Sequence, residues 1–244
     1  MTYCTALLLD SGMLFASDSR TNAGVDHIAT FSKMKVYEKK DDRVIVLLSS
    51  GNLALTQGVT NILDRHAHAE AGRETIWTAR SLYDVATMVG DALREMHRRD
   101  GPYLLQGNVD YSASLILGGQ IAGEPMRLFN IYTQGNFIEA TPDNLYFQVG
   151  ESKYGKPVID RVVTGSTSMA EAAKCVLISF DSTIRSNISV GLPIEMLWYP
   201  RDSLRTGIHR RIVEGDPYFT MLRKGWGSGL RRVFTELPNP DWVA

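Results

Sequence analysis

The sequence predicts an α+β fold, and three observations carry that reading. Strand-like runs come in blocks. Helical runs follow those blocks instead of alternating with single strands. Short turns rich in Gly, Asn, Asp and Pro separate the strand runs, as antiparallel hairpins require. Two antiparallel sheets face to face with helices outside satisfy that order, and so do other two-sheet folds.

The elements can be justified in order. Thr2–Leu9 and Met13–Ser19 are apolar runs split by Asp10-Ser11-Gly12, which predicts a hairpin. Lys33–Tyr37 and Arg43–Leu48 flank the charged tip Glu38–Asp42 and predict another. Asn52–Glu70 places Leu55, Val59, Ile62, Leu63 and His66 on roughly one helical face. Ser81–Arg99 is helical by the spacing of Leu82, Val85, Ala86, Val89, Leu93 and Met96, and Ser81 with Asp84 forms a capping box. The polar stretch Ala69–Arg73 joins these two helices.

A second strand block follows: Tyr111–Leu117, Met126–Tyr132, Phe137–Ala140 and Leu145–Val149, with turn signals between. Ser168-Met169-Ala170-Glu171 opens a helix that runs to Arg185. Ile194–Tyr199 is a strand stopped by Pro200. Pro217–Phe234 has helical potential, with Gly225-Trp226-Gly227-Ser228-Gly229 expected to break it as a turn. No repeat, low-complexity segment or linker divides residues 1–244, so one domain is expected.

Composition narrows the function class. At 244 residues, 44% hydrophobic and 22% charged, the chain can build a substantial core. A formal net charge of −1 offers no electrostatic case for nucleic acid. No basic segment precedes an apolar N-terminal core, and no run approaches the ~20 apolar residues of a membrane span, so neither a secretory signal nor a membrane partner is expected. Cys4 and Cys175 sit in apolar segments and read as reduced, buried and structural, which agrees with a cytoplasmic setting. The sequon Asn187-Ile188-Ser189 is discounted on the same ground.

Metal chemistry is not expected. His66 and His68 are two apart on a helix and diverge, and no carboxylate or thiol stands at ligand spacing. The glycine cluster at 225–229 lacks the Lys-Ser/Thr of a phosphate loop. Arg223, Lys224, Arg231 and Arg232 read as a solvated face; with Trp226 and Phe234 among them they also suit a subunit contact, as does Trp242.

The chemistry concentrates at Thr2. Removal of Met1 by a methionine aminopeptidase would free an α-amine beside the Thr2 hydroxyl. A hydroxyl needs a neighbouring base to act as a nucleophile, and an α-amine titrates near ~7.7–8.0. Asp18, in Phe15-Ala16-Ser17-Asp18-Ser19-Arg20, and Lys33, in Phe31-Ser32-Lys33-Met34-Lys35-Val36, stand at the edges of strand-like segments.

This set resembles the catalytic residues of the proteasome β-subunit family. Met1-Thr2-Tyr3-Cys4, Phe15–Gly24 and Arg185–Pro193 make the chain similar to the bacterial Anbu group of that family, over nearly its whole length. The resemblance implies the four-layer αββα sandwich of N-terminal nucleophile hydrolases. It implies Thr2 as nucleophile, Asp18 holding Lys33, and Lys33 as the cation near the Thr2 hydroxyl. It implies a backbone oxyanion donor among Ser49, Ser50 and Gly51, no metal or organic cofactor, a peptide or small amide substrate, and homo-oligomers in a ring or open helical turn. Nothing in the sequence identifies an unfoldase partner.

The supporting residues depart from the family pattern. Gly150-Glu151-Ser152 puts a carboxylate where the family has a serine, with Ser152 one residue away. Ser189 matches a serine of the late loop, while Ser186 stands where the family has an Asp. A non-peptide amidase using the same nucleophile, and a structural or binding ring with a weak site, are therefore the competing readings.

Overall fold

In the computed structural model, which describes residues 1–22, 28–67, 74–107 and 109–243, two five-stranded antiparallel sheets form the centre. The chain order is β1 (Tyr3–Leu9), β2 (Gly12–Asp18), β3 (Arg20–Asn22), β4 (Ile28–Thr30), β5 (Met34–Lys39), β6 (Arg43–Gly51), α1 (Leu53–Ala67) and α2 (Leu82–Gln106). Then follow β7 (Ala113–Ile121), β8 (Arg127–Ile131), β9 (Phe137–Glu139), β10 (Tyr146–Gly150), α3 (Lys156–Val162), α4 (Met169–Ser186), β11 (Ile194–Pro200), β12 (His209–Ile212) and α5 (Pro217–Glu236). One sheet has the order β10-β1-β2-β11-β12 and the other β5-β6-β7-β8-β9; β3 and β4 pair separately.

The four layers follow from strand alternation. On β1, Cys4 and Ala6 face the second sheet while Tyr3, Leu7 and Leu9 face the helices. On β6, Val44, Val46 and Leu48 face the first sheet while Ile45 and Leu47 meet α1 and α2. Both strands are therefore apolar on both faces, as strands sandwiched between two layers must be. Phe180 and Val176 of α4 and Phe219 and Leu222 of α5 close the other side. The result is the αββα sandwich.

Both expected capping boxes form, Ser81 with Asp84 and Ser168 with Glu171. Three expectations need correction. Helix α2 runs past Arg99 through Pro102 to Gln106. The carbonyl that Pro102 leaves without a donor belongs to exposed Arg98, where water can serve it. Helix α5 is continuous through the glycines at 225–229. Asp216 caps its start and Pro217 fixes the first turn, and propagation then tolerates the glycine cost. Elements β3, β4, α3 and β12 carry no periodic apolar signal; α3 buries only Ile159 and β12 only Ile212. Residues 68–73, read as the end of α1 and its connection, lie outside the described residues.

Candidate active site

Tyr3 fixes the N-terminal end of β1. Its ring lies 4.6 Å from that of Phe180, and its hydroxyl bonds Ser179 of α4 and Gln148 of β10. Burial pushes the phenol well above its ordinary pKa, so it stays a neutral donor. Thr2 is consequently held, and is 8% exposed. Its carbonyl accepts from the Glu151 amide at 2.7 Å. Gly150, at φ +84°, makes that approach possible, since a Cβ there would overlap the Thr2 carbonyl oxygen and crowd Ser50 Oγ.

Asp18, at the end of β2, is fully buried. Its Oδ1 accepts from the Tyr3 amide at 3.0 Å and from Lys33 Nζ at 2.7 Å. Its Oδ2 accepts from the Gly191 amide at 3.4 Å. Burial pushes the Asp18 carboxyl up, against the pull of Lys33 and the two amides toward the carboxylate. Lys33 is 7% exposed and also donates to the Arg20 carbonyl at 2.7 Å, so its ammonium is fixed by two acceptors.

Thr2 and Lys33 open into one cleft of about 400 Å³. Met1, Arg20, Thr21, Ser49, Ser50, Gly51, Asn52, Asp110 and Gly150 are among its other walls. The three β6 candidates differ in what their amides do. Ser49 N already donates to Lys33 O at 2.9 Å. Asn52 N donates to Ser112 O at 2.8 Å, and strand alternation then turns the Ser50 amide to its partner Ser114 on β7. The Gly51 amide points the opposite way, to the side of Lys33, beyond the point where β5 begins at Met34. Gly51 has φ +106°, and a Cβ there would overlap the Ser112 carbonyl oxygen.

Of the supporting candidates, Ser152 begins the turn into α3, its amide bonded to Gly150 O at 3.0 Å and its carbonyl to the Lys156 amide. Ser189 lies in the loop from α4 to β11, its amide donating to Asn187 Oδ1 at 2.9 Å. Ser186 is exposed at the end of α4, outside the cleft walls. Sequence reasoning overlooked Asn187, whose Nδ2 donates to Glu151 Oε2 at 2.7 Å, and the Gly191 amide that reaches Asp18. The loop Asn187–Gly191 thus contacts both of the carboxylates that act on the N-terminal amine.

The α-amine of the chain, on Met1, is lowered from its usual 8.0, first by burial and then by Lys33, with Asp18 and Glu151 opposing. No group of His, Cys, Asp and Glu able to hold a metal occurs among the described residues. No described helix is long and apolar enough to cross a membrane. Cys4 and Cys175 are buried and free, and burial pushes the Cys175 thiol up to about 11.

No protein-family model and no curated protein matches the chain. Solved structures do. Anbu (ancestral β-subunit) from Yersinia bercovieri is 50% identical, with a TM-score of 0.90 over 98% of this chain and 99% of that one. The Anbu complex from Pseudomonas aeruginosa, described as a helical assembly, is 46% identical with a TM-score of 0.93 over 99% of each chain. A Gly-1 mutant of Anbu from Hyphomicrobium sp. strain MC1 is 45% identical with a TM-score of 0.93 over 99% of this chain and all of its own. With this identity across the full length and the αββα layers in place, the chain belongs to the Anbu family, the ancestral β-subunits of the proteasome-like N-terminal nucleophile hydrolases.

Proposed function

We propose that the chain is a threonine-type amide hydrolase acting on peptides or small amides from the N-terminus of Thr2 after Met1 is removed. The observation that carries this reading is the buried Lys33–Asp18 pair, at 2.7 Å, opening onto the cleft that Thr2 lines. A fixed cation beside a hydroxyl lowers the cost of its oxyanion form and favours the neutral form of a neighbouring amine.

The α-amine freed at Thr2 takes the hydroxyl proton as Oγ bonds to the substrate carbonyl carbon. The Gly51 amide supports the negative charge that develops on the carbonyl oxygen. The C–N bond then breaks as the amine's proton passes to the leaving nitrogen, giving an ester on Thr2. Water attacks that ester, its proton returns to the hydroxyl through the same amine, and the acid is released. Asp18 holds Lys33 and the Tyr3 amide in register for both steps. Ser152 and Ser189 are minor supports of the N-terminus.

The chain acts as a subunit of a homo-oligomer in this reading. The helical assembly described for the Pseudomonas aeruginosa relative supports it, and so do Leu230, Val233 and Phe234, exposed in a row on α5. The two reduced cysteines support a cytoplasmic setting.

Intact-protein mass after incubation with a peptide epoxyketone tests the chemistry, because that warhead joins both the hydroxyl and the amine of an N-terminal threonine. Protein lacking Met1 should gain one adduct, and Thr2→Ala should gain none. A processed protein that stays unmodified at saturating probe, or a Thr2→Ala protein modified equally, sinks the reading.

A further inference from the structure

We infer that Glu151 is a positioning residue for the α-amine of Thr2, a carboxylate that receives the ammonium and aims the amine at the threonine hydroxyl. The inference rests on the reading of Thr2 as an N-terminal nucleophile and adds to it a residue from outside the cleft walls.

Three observations carry it. Glu151 follows Gly150 directly, and its own amide is bonded to the Thr2 carbonyl at 2.7 Å, so its place relative to Thr2 is set by backbone. Its side chain is buried, 7% exposed, although an unpaired carboxylate is costly to bury. The partners it has are incomplete. Oε2 accepts from Asn187 Nδ2 at 2.7 Å, and Oε1 lies 3.4 Å from Lys153 Nζ, whose side chain is 68% exposed. A neutral amide and a solvent-borne lysine leave a buried carboxylate room for another cation.

The N-terminus supplies one. The charged groups acting on the α-amine, carried here by Met1, are Lys33, Asp18 and Glu151; both carboxylates attract it, Asp18 more than Glu151. Lys33 is already bonded to Asp18 and to the Arg20 carbonyl, and Asp18 also accepts from the amides of Tyr3 and Gly191. Asp18 thus already holds a buried cation and two amides, whereas Glu151 has only the exposed Lys153 as a cation near it, and Glu151 is the carboxylate left to take the amine. Asn187 keeps it in place, and the same loop carries Gly191 to Asp18. One loop contacts both carboxylates, and in this reading the amine of Thr2 lies between charges of opposite sign, Lys33 and Glu151.

The consequence is a division of labour. Lys33 favours the free base that deprotonates the hydroxyl. Glu151 favours the ammonium that donates to the leaving nitrogen. Both forms are needed within one turnover.

The test reads the amine directly. Protein with Thr2 first is prepared by cutting a leader fused to Thr2. Periodate then oxidises the N-terminal threonine through its free amine, and intact mass gives the rate at each pH. In Glu151→Gln the midpoint of that profile should fall by about 0.5 pH unit or more. Glu151→Asp, which keeps the charge but draws it back, should give a smaller shift of the same sign and covers the case in which Glu151→Gln does not fold. An unchanged or raised midpoint in whichever variants fold, as verified by circular dichroism, overturns the inference. Epoxyketone labelling of the same samples separates the two claims: a shifted midpoint without an adduct keeps Glu151 and removes the hydrolase, and an adduct without a shift does the reverse.

Discussion

Lys33 Nζ lies 2.7 Å from Asp18 Oδ1, and neither side chain is more than 6% exposed. A buried pair is strong evidence of organisation and weak evidence of stability. Removing one partner strands the other. Lys33→Ala should lower unfolding free energy by about 3–5 kcal/mol, read by urea denaturation, and abolish epoxyketone labelling. Asp18→Asn combined with Lys33→Met should recover most of the stability and none of the labelling. If the double variant were labelled at the native rate, the pair would have no part in the chemistry.

Gly150 argues a second prediction. Its positive φ and the closeness of the Thr2 carbonyl leave no room for a methyl group. Gly150→Ala should cost about 1–3 kcal/mol in strain and displace Thr2 from the cleft wall. The labelling rate should fall at least tenfold even where the protein remains folded by circular dichroism. A variant that labels as fast as the native chain would show that the Thr2 backbone tolerates movement.

The pH dependence follows from the α-amine. Its pKa is lowered in the folded chain by burial and Lys33, below the usual 8.0. Between that lowered value and 8.0 the unfolded chain binds more protons, so stability should rise with pH across this window. The proposed mechanism requires the amine of Thr2, once Met1 is gone, to lie in the same surroundings beside Lys33. Thr2-dependent labelling should therefore rise with pH to a midpoint under 8.0. In Lys33→Met, if it folds, the midpoint of N-terminal periodate oxidation, which does not need the labelling chemistry, should move upward; a downward move would mean that Lys33 does not face the amine.

These predictions draw unequally on sequence and structure. The proximity of Asp18 and Lys33 was legible through the resemblance of their segments to the proteasome β-subunit family, and the structure pairs them at 2.7 Å. The hairpins and both capping boxes were legible from local signals. Asn187 and Gly191 were not, because they lie in a loop that has no periodicity and their partners are remote in sequence, Glu151 36 residues from Asn187 and Asp18 173 residues from Gly191. Where the amides of Ser49, Ser50 and Gly51 point also needed the structure, since only the pairing with Lys33 and Ser112 shows it. Helix α5 was misread at its glycines because propensity describes a helix in isolation, whereas here a firm cap and a packed first half set its direction.

That packed first half makes the last prediction. Phe219 and Leu222 are buried against α4, and the Arg223–Asp181 ion pair at 2.7 Å ties the two helices together. Beyond it the apolar stripe continues and is left largely open by the described residues: Leu230 is 53%, Val233 50% and Phe234 79% exposed. An apolar row of that extent on a helix flanked by Arg231 and Arg232 suits a subunit contact. Leu230→Glu with Phe234→Glu should leave the thermal midpoint of the isolated subunit close to native, because exposed side chains contribute within about 0.5 kcal/mol. Light scattering should then find smaller particles than those of the native chain. Unchanged particle mass at the same concentration would place the subunit contact elsewhere and return this face to solvent.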